Sequence, residues 1–373
     1  MSAFLALGIR KEFIKAITEL GFKTPTEIQL KSIPQLLSKP TDFIGLAQTG
    51  TGKTAAFGLP ILHKIDTQSN DIQALILAPT RELVQQIKKH LFKYTKYADK
   101  PIFAEGIYGG EKIDKQILRL KRTTHIVVAT PGRLIDILER GDIDLSHIKT
   151  LVLDEADEML SMGFKEDLNR ILRYTSGKRN TWLFSATMPE GIKSIIKRYM
   201  SPQAARVEVN KESLVNVNIE HLFIKTTIKE KFDVLTNLLK RIKNDRGIIF
   251  CRTKLGTQNL TSKLRERGFN VDALEGNMQQ RERDKAMRAF KKGTLQILVS
   301  TDVSARGIDV NNLAFVIHHQ LPEQIEYYTH RSGRTARAGK KGQSIALIIP
   351  SELEQIHQLQ KKLGITFEEK NLR

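Results

Sequence analysis

Residues 45–54 read GLAQTGTGKT, and the last eight, AQTGTGKT, follow the apolar run DFIGL. Glycines at 50 and 52, a lysine at 53 and a threonine at 54 spell a phosphate-binding loop. Gly50 and Gly52 permit a tight turn in which successive backbone N–H groups point at phosphate oxygens. Lys53 can reach the β- and γ-phosphates, and Thr54 can place its hydroxyl on Mg²⁺. Such a loop needs an acidic partner from another strand. The stretch LVLDEADEML, residues 151–160, provides one. LVL reads as a buried strand, and Asp154 falls at its carboxyl end, where ligands bind in open α/β sheets. Asp154 can hold the metal that Thr54 also meets, partly through water. Glu155 is the candidate to orient and activate the attacking water. A dipole-favoured acidic helix start would explain the carboxylates alone, but it is a poor account with AQTGTGKT in the same half. These residues predict hydrolysis of ATP or GTP. No guanine-specific Asn/Thr-Lys-x-Asp string sits at a strand end, yet the residues themselves leave the base open.

The elements that must position this chemistry form two similar series. The first half alternates the apolar runs DFIGLAQ, ALILAP, HIVVATP, TLVLDEA and TWLFSAT with amphipathic stretches such as RELVQQIKKHLFKYT. The second half repeats the rhythm with HLFIKT, GIIFC, ILVST, FVIHH and SIALIIP. That alternation predicts mostly parallel sheets covered by helices. A chain of 373 residues exceeds one hydrophobic core, so two domains are expected. The stretch SPQAARVEVNKESLVN, 201–216, lacks helical periodicity. It places one domain at 1–207, a linker at 208–216 and a second domain at 217–373. The net charge of +19 predicts a polyanionic partner, without separating RNA from DNA. No run is apolar enough to span a membrane and no cleavable signal is present, so a cytoplasmic location is expected. The single cysteine, Cys251, reads as a small buried hydrophobe.

Nine strings, in order along the chain, resemble the DEAD-box ATP-dependent RNA helicases, with a minimal core of bacterial type. They are AQTGTGKT (47–54), PTREL (79–83), YGG (108–110), TPGR (130–133), DEAD (154–157), SAT (185–187), IIFCRT (248–253), STDVSARGIDV (300–310) and HRSGRTARAG (330–339). The resemblance implies an α/β fold of two tandem RecA-like P-loop NTPase domains. ATP and Mg²⁺ would bind in the cleft between them, and RNA would cross both. It also resolves the base. In GFKTPTEIQ, 21–29, Gln29 would bond the adenine edge, Phe22 would lie near the ring and Thr26 would join the site. Phe4, at the upstream aromatic position, would stack on adenine; without the resemblance it reads as a core residue. Gln48, Thr49 and Thr51 complete the phosphate loop. Arg331 and Arg334, three apart and so expected on one helix face, would reach the γ-phosphate from the second domain as arginine fingers. Gly307 and Asp309 would line the same cleft, and Asp302 would order the domain contact and the arginines. Ser185, Thr187, Asp157 and His330 would couple hydrolysis to unwinding; alone, Ser185 and Thr187 could simply cap a turn.

The RNA site implied in the first domain comprises Pro79, Thr80, Arg81, Gly109, Gly110, Thr130, Pro131, Gly132 and Arg133. In the second it comprises Arg252, Gly276, Gln280, Arg283 and Thr301, with Lys254 a further candidate. Small residues paired with such donors favour phosphate and sugar over base edges, so single strands or short duplexes would bind with little sequence preference. Two positions depart from the family pattern. Glu275 stands where relatives carry His and is expected to turn to solvent or pair with an arginine. Ala336 stands where Gly is common, a change expected to preserve helical packing. The activity implied is closure on ATP and RNA, local strand separation or remodelling of RNA–protein complexes, and resetting by hydrolysis. A translocating helicase and an ATP-gated RNA clamp share these motifs. A monomer is the default.

Overall fold

The computed structural model describes residues 3–48, 50–175, 177, 179–209, 218–243, 245–305, 313–336 and 341–371. Thr49, Gly307, Asp309 and most of the expected linker lie outside them. The chain divides into two compact units, Met1–Asn210 and Lys211–Arg373.

The first unit is a seven-stranded parallel sheet. Its strands are β1 (Phe43–Leu46), β2 (Ala74–Leu77), β3 (Ala104–Ile107), β4 (Ile126–Ala129), β5 (Thr150–Leu153), β6 (Asn180–Ser185) and β7 (Ala205–Glu208). They lie in the order β3-β4-β2-β5-β6-β1-β7. The second unit's sheet holds β8 (Ile219–Lys225), β9 (Gly247–Phe250), β10 (Val271–Leu274), β11 (Ile297–Ser300), β12 (Phe315–His318), β13 (Gly342–Ile348) and β14 (Phe367–Glu369). Its order is β10-β11-β9-β12-β13-β8-β14. The inner strands of the first sheet are mainly apolar and almost wholly buried, which is what helical cover on each side requires. One core of that unit gathers Phe43, Phe57, Trp182 and Phe184; the other, across the sheet, gathers Leu75, Leu77, Leu151 and Leu183.

Residues 205–208 differ from expectation. They were expected to lead into the linker, but they pair with β1, Phe43 opposite Ala205. ARVE is a half-exposed edge strand, so it lacks the apolar run that marks an inner one. Cys251 is buried as expected, and burial pushes its thiol up to about 12. Among the described residues no helix is long and apolar enough to cross a membrane.

Candidate functional site

The phosphate loop joins β1 to the helix Lys53–Lys64. Gly50 and Gly52 adopt φ of 82° and 93°, a region that side chains resist. A Cβ on Gly52 would also meet Gln29 Nε2 at 2.4 Å. The first turn of this helix carries no acidic residue, so its N-terminal end stays positive and open to an anion. Thr51 Oγ1 donates to the Gln48 carbonyl at 2.8 Å, which tightens the loop. Lys53 is buried and its Nζ donates to the Ala47 carbonyl at 3.1 Å. Thr54 is half-buried in the same first turn.

The adenine segment is tied to this loop. Thr26 and Gln29 form a capping box, in which the Thr26 N–H donates to Gln29 Oε1 at 3.0 Å. Gln29 Nε2 donates to the Gly52 carbonyl at 3.0 Å. The carboxamide, 1% exposed, therefore ties this segment to the phosphate loop. Phe22 is half-buried, its ring centroid 6.4 Å from that of Phe4 and 6.2 Å from that of Tyr94. Phe4 corrects the stacking expectation. It is 0% exposed and belongs to the apolar core, so it offers no free face to adenine and supports Phe22 from behind.

Asp154 stands at the carboxyl end of β5, 2% exposed. Burial pushes its carboxyl up to about 7; Lys53 opposes the shift, while Glu155 and Asp157 add to it. A buried carboxylate in this condition fits a site completed by a cation. Among the described residues no cluster of three or more His, Cys, Asp or Glu forms a metal cage. An ion here would have to share its coordination with phosphate oxygens, as Mg²⁺ commonly does. Glu155 holds the left-handed conformation, φ 51° and ψ 50°, at a cost on the order of 1 kcal/mol for a residue with a side chain. That turn starts the helix Ala156–Ser161 and carries Asp157 into contact with the SAT string. Asp157 Oδ2 accepts from both the backbone N–H and the hydroxyl of Thr187, each at 2.8 Å. Ser185 Oγ accepts from the Asp157 N–H at 3.3 Å and donates to the Thr187 carbonyl at 2.7 Å. Neither hydroxyl acts as a helix cap; both lock the two strings together.

The sheet order β3-β4-β2 sets three further loops side by side. Thr80 caps the helix Arg81–Tyr94, its hydroxyl accepting from the Leu83 N–H at 3.3 Å, with Pro79 buried behind it. The Arg81 guanidinium lies 5.1 Å from the Tyr108 ring centroid. Gly109 has open space where a Cβ would stand, and Gly110 takes φ 84°. Thr130, Pro131 and Gly132 start the helix Pro131–Glu139. Arg133 on that helix donates to the carbonyls of Tyr108 at 3.2 Å and Glu111 at 2.9 Å, so it shapes the glycine loop. Two residues here escaped the sequence reading. Gln116, 1% exposed, accepts from the Tyr108 N–H at 3.1 Å and donates to its carbonyl at 2.8 Å. Tyr108 itself links Arg81 to the loop; its place beside two glycines was the available signal.

In the second unit, Arg331 is 2% exposed and its guanidinium is enclosed. Nε and Nη2 grip the Asp302 carboxylate, the latter at 2.7 Å, and Nη1 donates to the Gln320 carbonyl at 2.8 Å. The Phe250 ring lies beneath it, centroid 5.0 Å away. The shared helix face also needs correction: the helix Ile325–Ser332 ends before Arg334, which is half-buried beyond it. His330 is half-buried on that helix. Thr301 accepts from the Ser304 N–H at 3.4 Å, and Arg283 donates to the Ser304 carbonyl at 2.8 Å. Gln280 donates to Asp284 at 2.7 Å, and Arg252 Nε donates to the Leu321 carbonyl at 2.7 Å. A Cβ on Gly276 would meet Lys254 Cε at 3.0 Å. Glu275 neither faces solvent nor meets an arginine. It is 2% exposed and accepts from Gln258 Nε2 at 2.8 Å and from the Asn277 N–H. Ala336 lies outside any helix at φ 55°, which explains by conformation the glycine expected there.

Comparison with known proteins agrees with this arrangement. The DEAD/DEAH box helicase model matches residues 26–195, and the helicase conserved C-terminal domain model matches residues 230–339. The chain is 43% identical over 361 residues to the DEAD-box ATP-dependent RNA helicase CshA of Geobacillus kaustophilus, covering 97% of this chain and 76% of that one. It is 45% identical over 354 residues to CshA of Listeria monocytogenes, covering 95% and 67%. Among solved structures, S. cerevisiae Dbp5 bound to RNA and ADP BeF3 superposes with a TM-score of 0.90 at 32% identity, covering 100% and 96%. With the phosphate loop, the DEAD turn and the SAT string already joined in one unit, these matches leave one assignment: the chain belongs to the DEAD-box ATP-dependent RNA helicase family.

Proposed function

We propose that the chain closes on ATP and RNA, separates short RNA duplexes or remodels RNA–protein complexes, and hydrolyses ATP to reset. The observation that carries this reading is the Asp157–Thr187–Ser185 network, which fastens the loop bearing Asp154 and Glu155 to a second strand end. Lys53 and the backbone N–H groups after Gly52 would hold the ATP phosphates. Thr54 and Asp154 would hold Mg²⁺, partly through water; when bound, the ion neutralises phosphate charge. Glu155 would accept the proton of the attacking water. Gln29 and Phe22 would select adenine. Arg334 would supply the guanidinium that stabilises the transferring phosphoryl group. Arg331, already committed to Asp302, would instead hold the loop that starts at Thr301. Gly307 and Asp309 are proposed to line the nucleotide site, and His330 to join the coupling. RNA would be held by the loops at 79–81, 108–110 and 130–133, and by the 252, 276–283 and 301 region, through backbone contacts.

Drawing Lys53 and Asp154 from one unit and Arg334 from the other would make hydrolysis conditional on closure. ATP turnover on a panel of RNA and DNA at two salt concentrations, together with strand separation against duplex length, tests the reading. RNA-specific stimulation and a steep loss of separation with length support it. Separation independent of length would favour a translocating helicase, and ATP-dependent RNA retention without separation would favour a clamp.

A further inference from the structure

The outer side of β3 carries a feature that nucleotide and RNA chemistry do not use. β3 is an edge strand, paired with β4 alone among the described residues. Its register places Ala104 opposite Ile126. The carbonyls of Phe103 and Ile107 accept from the N–H groups of Ile126 and Thr130, at 3.1 and 2.9 Å. Odd positions therefore face β4, and the N–H and C=O groups of 104, 106 and 108 face outward. At Tyr108 that outward pair is already taken, donor and acceptor together, by the Gln116 carboxamide. An amide thus occupies the place of a neighbouring strand at one end. Ala104, half-buried, and Gly106, buried, line a cavity of about 780 Å³ beside this edge, walled on one side by the helix Arg81–Tyr94.

The lining of the slot indicates what would fill it. Phe92 is 75% exposed and Phe103 47% exposed, both on its walls. The Phe103 ring is fixed by stacking on His125, centroids 5.7 Å apart and planes 16° apart. Lys88, Lys89, Arg119 and Arg122 line the slot with the carboxylate Glu105, and Arg119 is also held by Glu111 at 2.9 and 2.8 Å. Glu105 pairs with Lys88 at 2.8 Å and Arg119 at 3.5 Å, while Lys89 and Arg122 are exposed. Alternating backbone donors and acceptors match another peptide strand, whereas a phosphodiester backbone offers mainly acceptors. A row of charges can merely protect an edge, but protection gives no reason for two exposed phenylalanines beside it.

We propose that this slot docks an extended, acidic peptide segment of a partner protein, which adds a strand to β3 and seats an apolar side chain against Phe92 and Phe103. Strand addition gives affinity through the backbone, and alternate side chains give selectivity through the walls. None of the residues assigned to ATP lines the slot, but Tyr108 of the loop assigned to RNA bounds one end of it, so competition by RNA is part of the test.

The test uses the full chain and short fluorescein-labelled peptides alternating Asp or Glu with Val, Leu or Phe, read by anisotropy. Saturable binding is expected, weakened about tenfold or more by Phe92→Ser and by replacing the peptide's acids with amides. Ala104→Pro removes one outward N–H without touching the ladder to β4 and should weaken binding similarly. RNA-stimulated ATP turnover should be unchanged in both variants, which reports that they fold. Single-stranded uridine RNA should not displace the peptide. No saturable binding to the unaltered chain overturns the proposal, as does equal binding by the folded variants. Displacement by RNA, with RNA affinity lost in Phe92→Ser, would replace it with an RNA subsite.

Discussion

The two units share a topology and differ in chemistry. Counted within each unit, both sheets run third, fourth, second, fifth, sixth, first, seventh. After the first strand, one unit continues as AQTGTGK and the other, after β8, as TTIKEK, without a glycine. After the fifth strand, one places Asp154 and Glu155 and the other His319 and Gln320. Burial pushes the Asp154 carboxyl up to about 7 and the His319 ring down to about 4. The fold presents the same loop positions twice, and side chains decide which copy can hold nucleotide. The buried charges differ likewise. In the first unit the Lys53 ammonium donates to the Ala47 carbonyl and lowers the Asp154 carboxyl against the effect of burial. In the second, Arg331 and Asp302 complete each other.

That contrast can be broken most sharply at the two arginines. Arg334→Ala should reduce RNA-stimulated turnover about a thousandfold with ATP binding and melting temperature largely intact. Arg331→Ala should instead destabilise the second unit by about 3 kcal/mol, because it strands Asp302, read as a lower urea midpoint. Near-normal turnover in a folded Arg334→Ala would remove its proposed role. Phe4→Ala probes the first unit in the same way. Loss of a fully buried ring should cost about 3 kcal/mol of stability, while KM for ATP in the folded fraction stays near its starting value. A large rise in KM without destabilisation would restore stacking on adenine.

Acid probes the second unit more gently. In the second unit His221 Nδ1 meets the Tyr328 hydroxyl at 2.6 Å, and His318 Nε2 meets Ser344 Oγ at 3.0 Å. Burial holds His221 at about 4; it holds His318 well below its ordinary value too, helped by the charges of Arg331 and His221. The unfolded chain therefore binds more protons than the folded one between about pH 6.5 and 4, and the rings' contribution is complete above that window and lost as pH falls through it. Urea titrations across the window should show a falling midpoint, with a shallower slope in His221→Asn. An identical slope would contradict the assignment. The smallest effect is expected at Ala336→Gly, which relieves a left-handed alanine and should raise stability by up to about 1 kcal/mol in thermal melts.

Much of this was legible before any coordinates. The inner strands announced themselves because burial on both faces demands unbroken apolar runs. The edge strands β3, β7, β10 and β14 did not, since AEGI, ARVE, VDAL and FEE are partly exposed and of mixed polarity. Phosphate-loop chemistry was readable because it needs glycine, lysine and threonine at fixed spacing. The backbone carbonyls that Gln29 and Arg133 meet were not, because residue type does not mark a carbonyl as a partner, whereas Asp302 beside Arg331 was expected from the resemblance. Glu275 and Ala336 show the same limit: residue type was visible, but burial and φ were not.

Glu155, in the DEAD turn of the first unit, is the residue proposed to activate the attacking water. Single-turnover phosphate release by Glu155→Gln, with saturating ATP and RNA, tests it most directly. The account predicts release slowed by about a hundredfold or more while ATP and RNA remain bound. Release at the unaltered rate would contradict it.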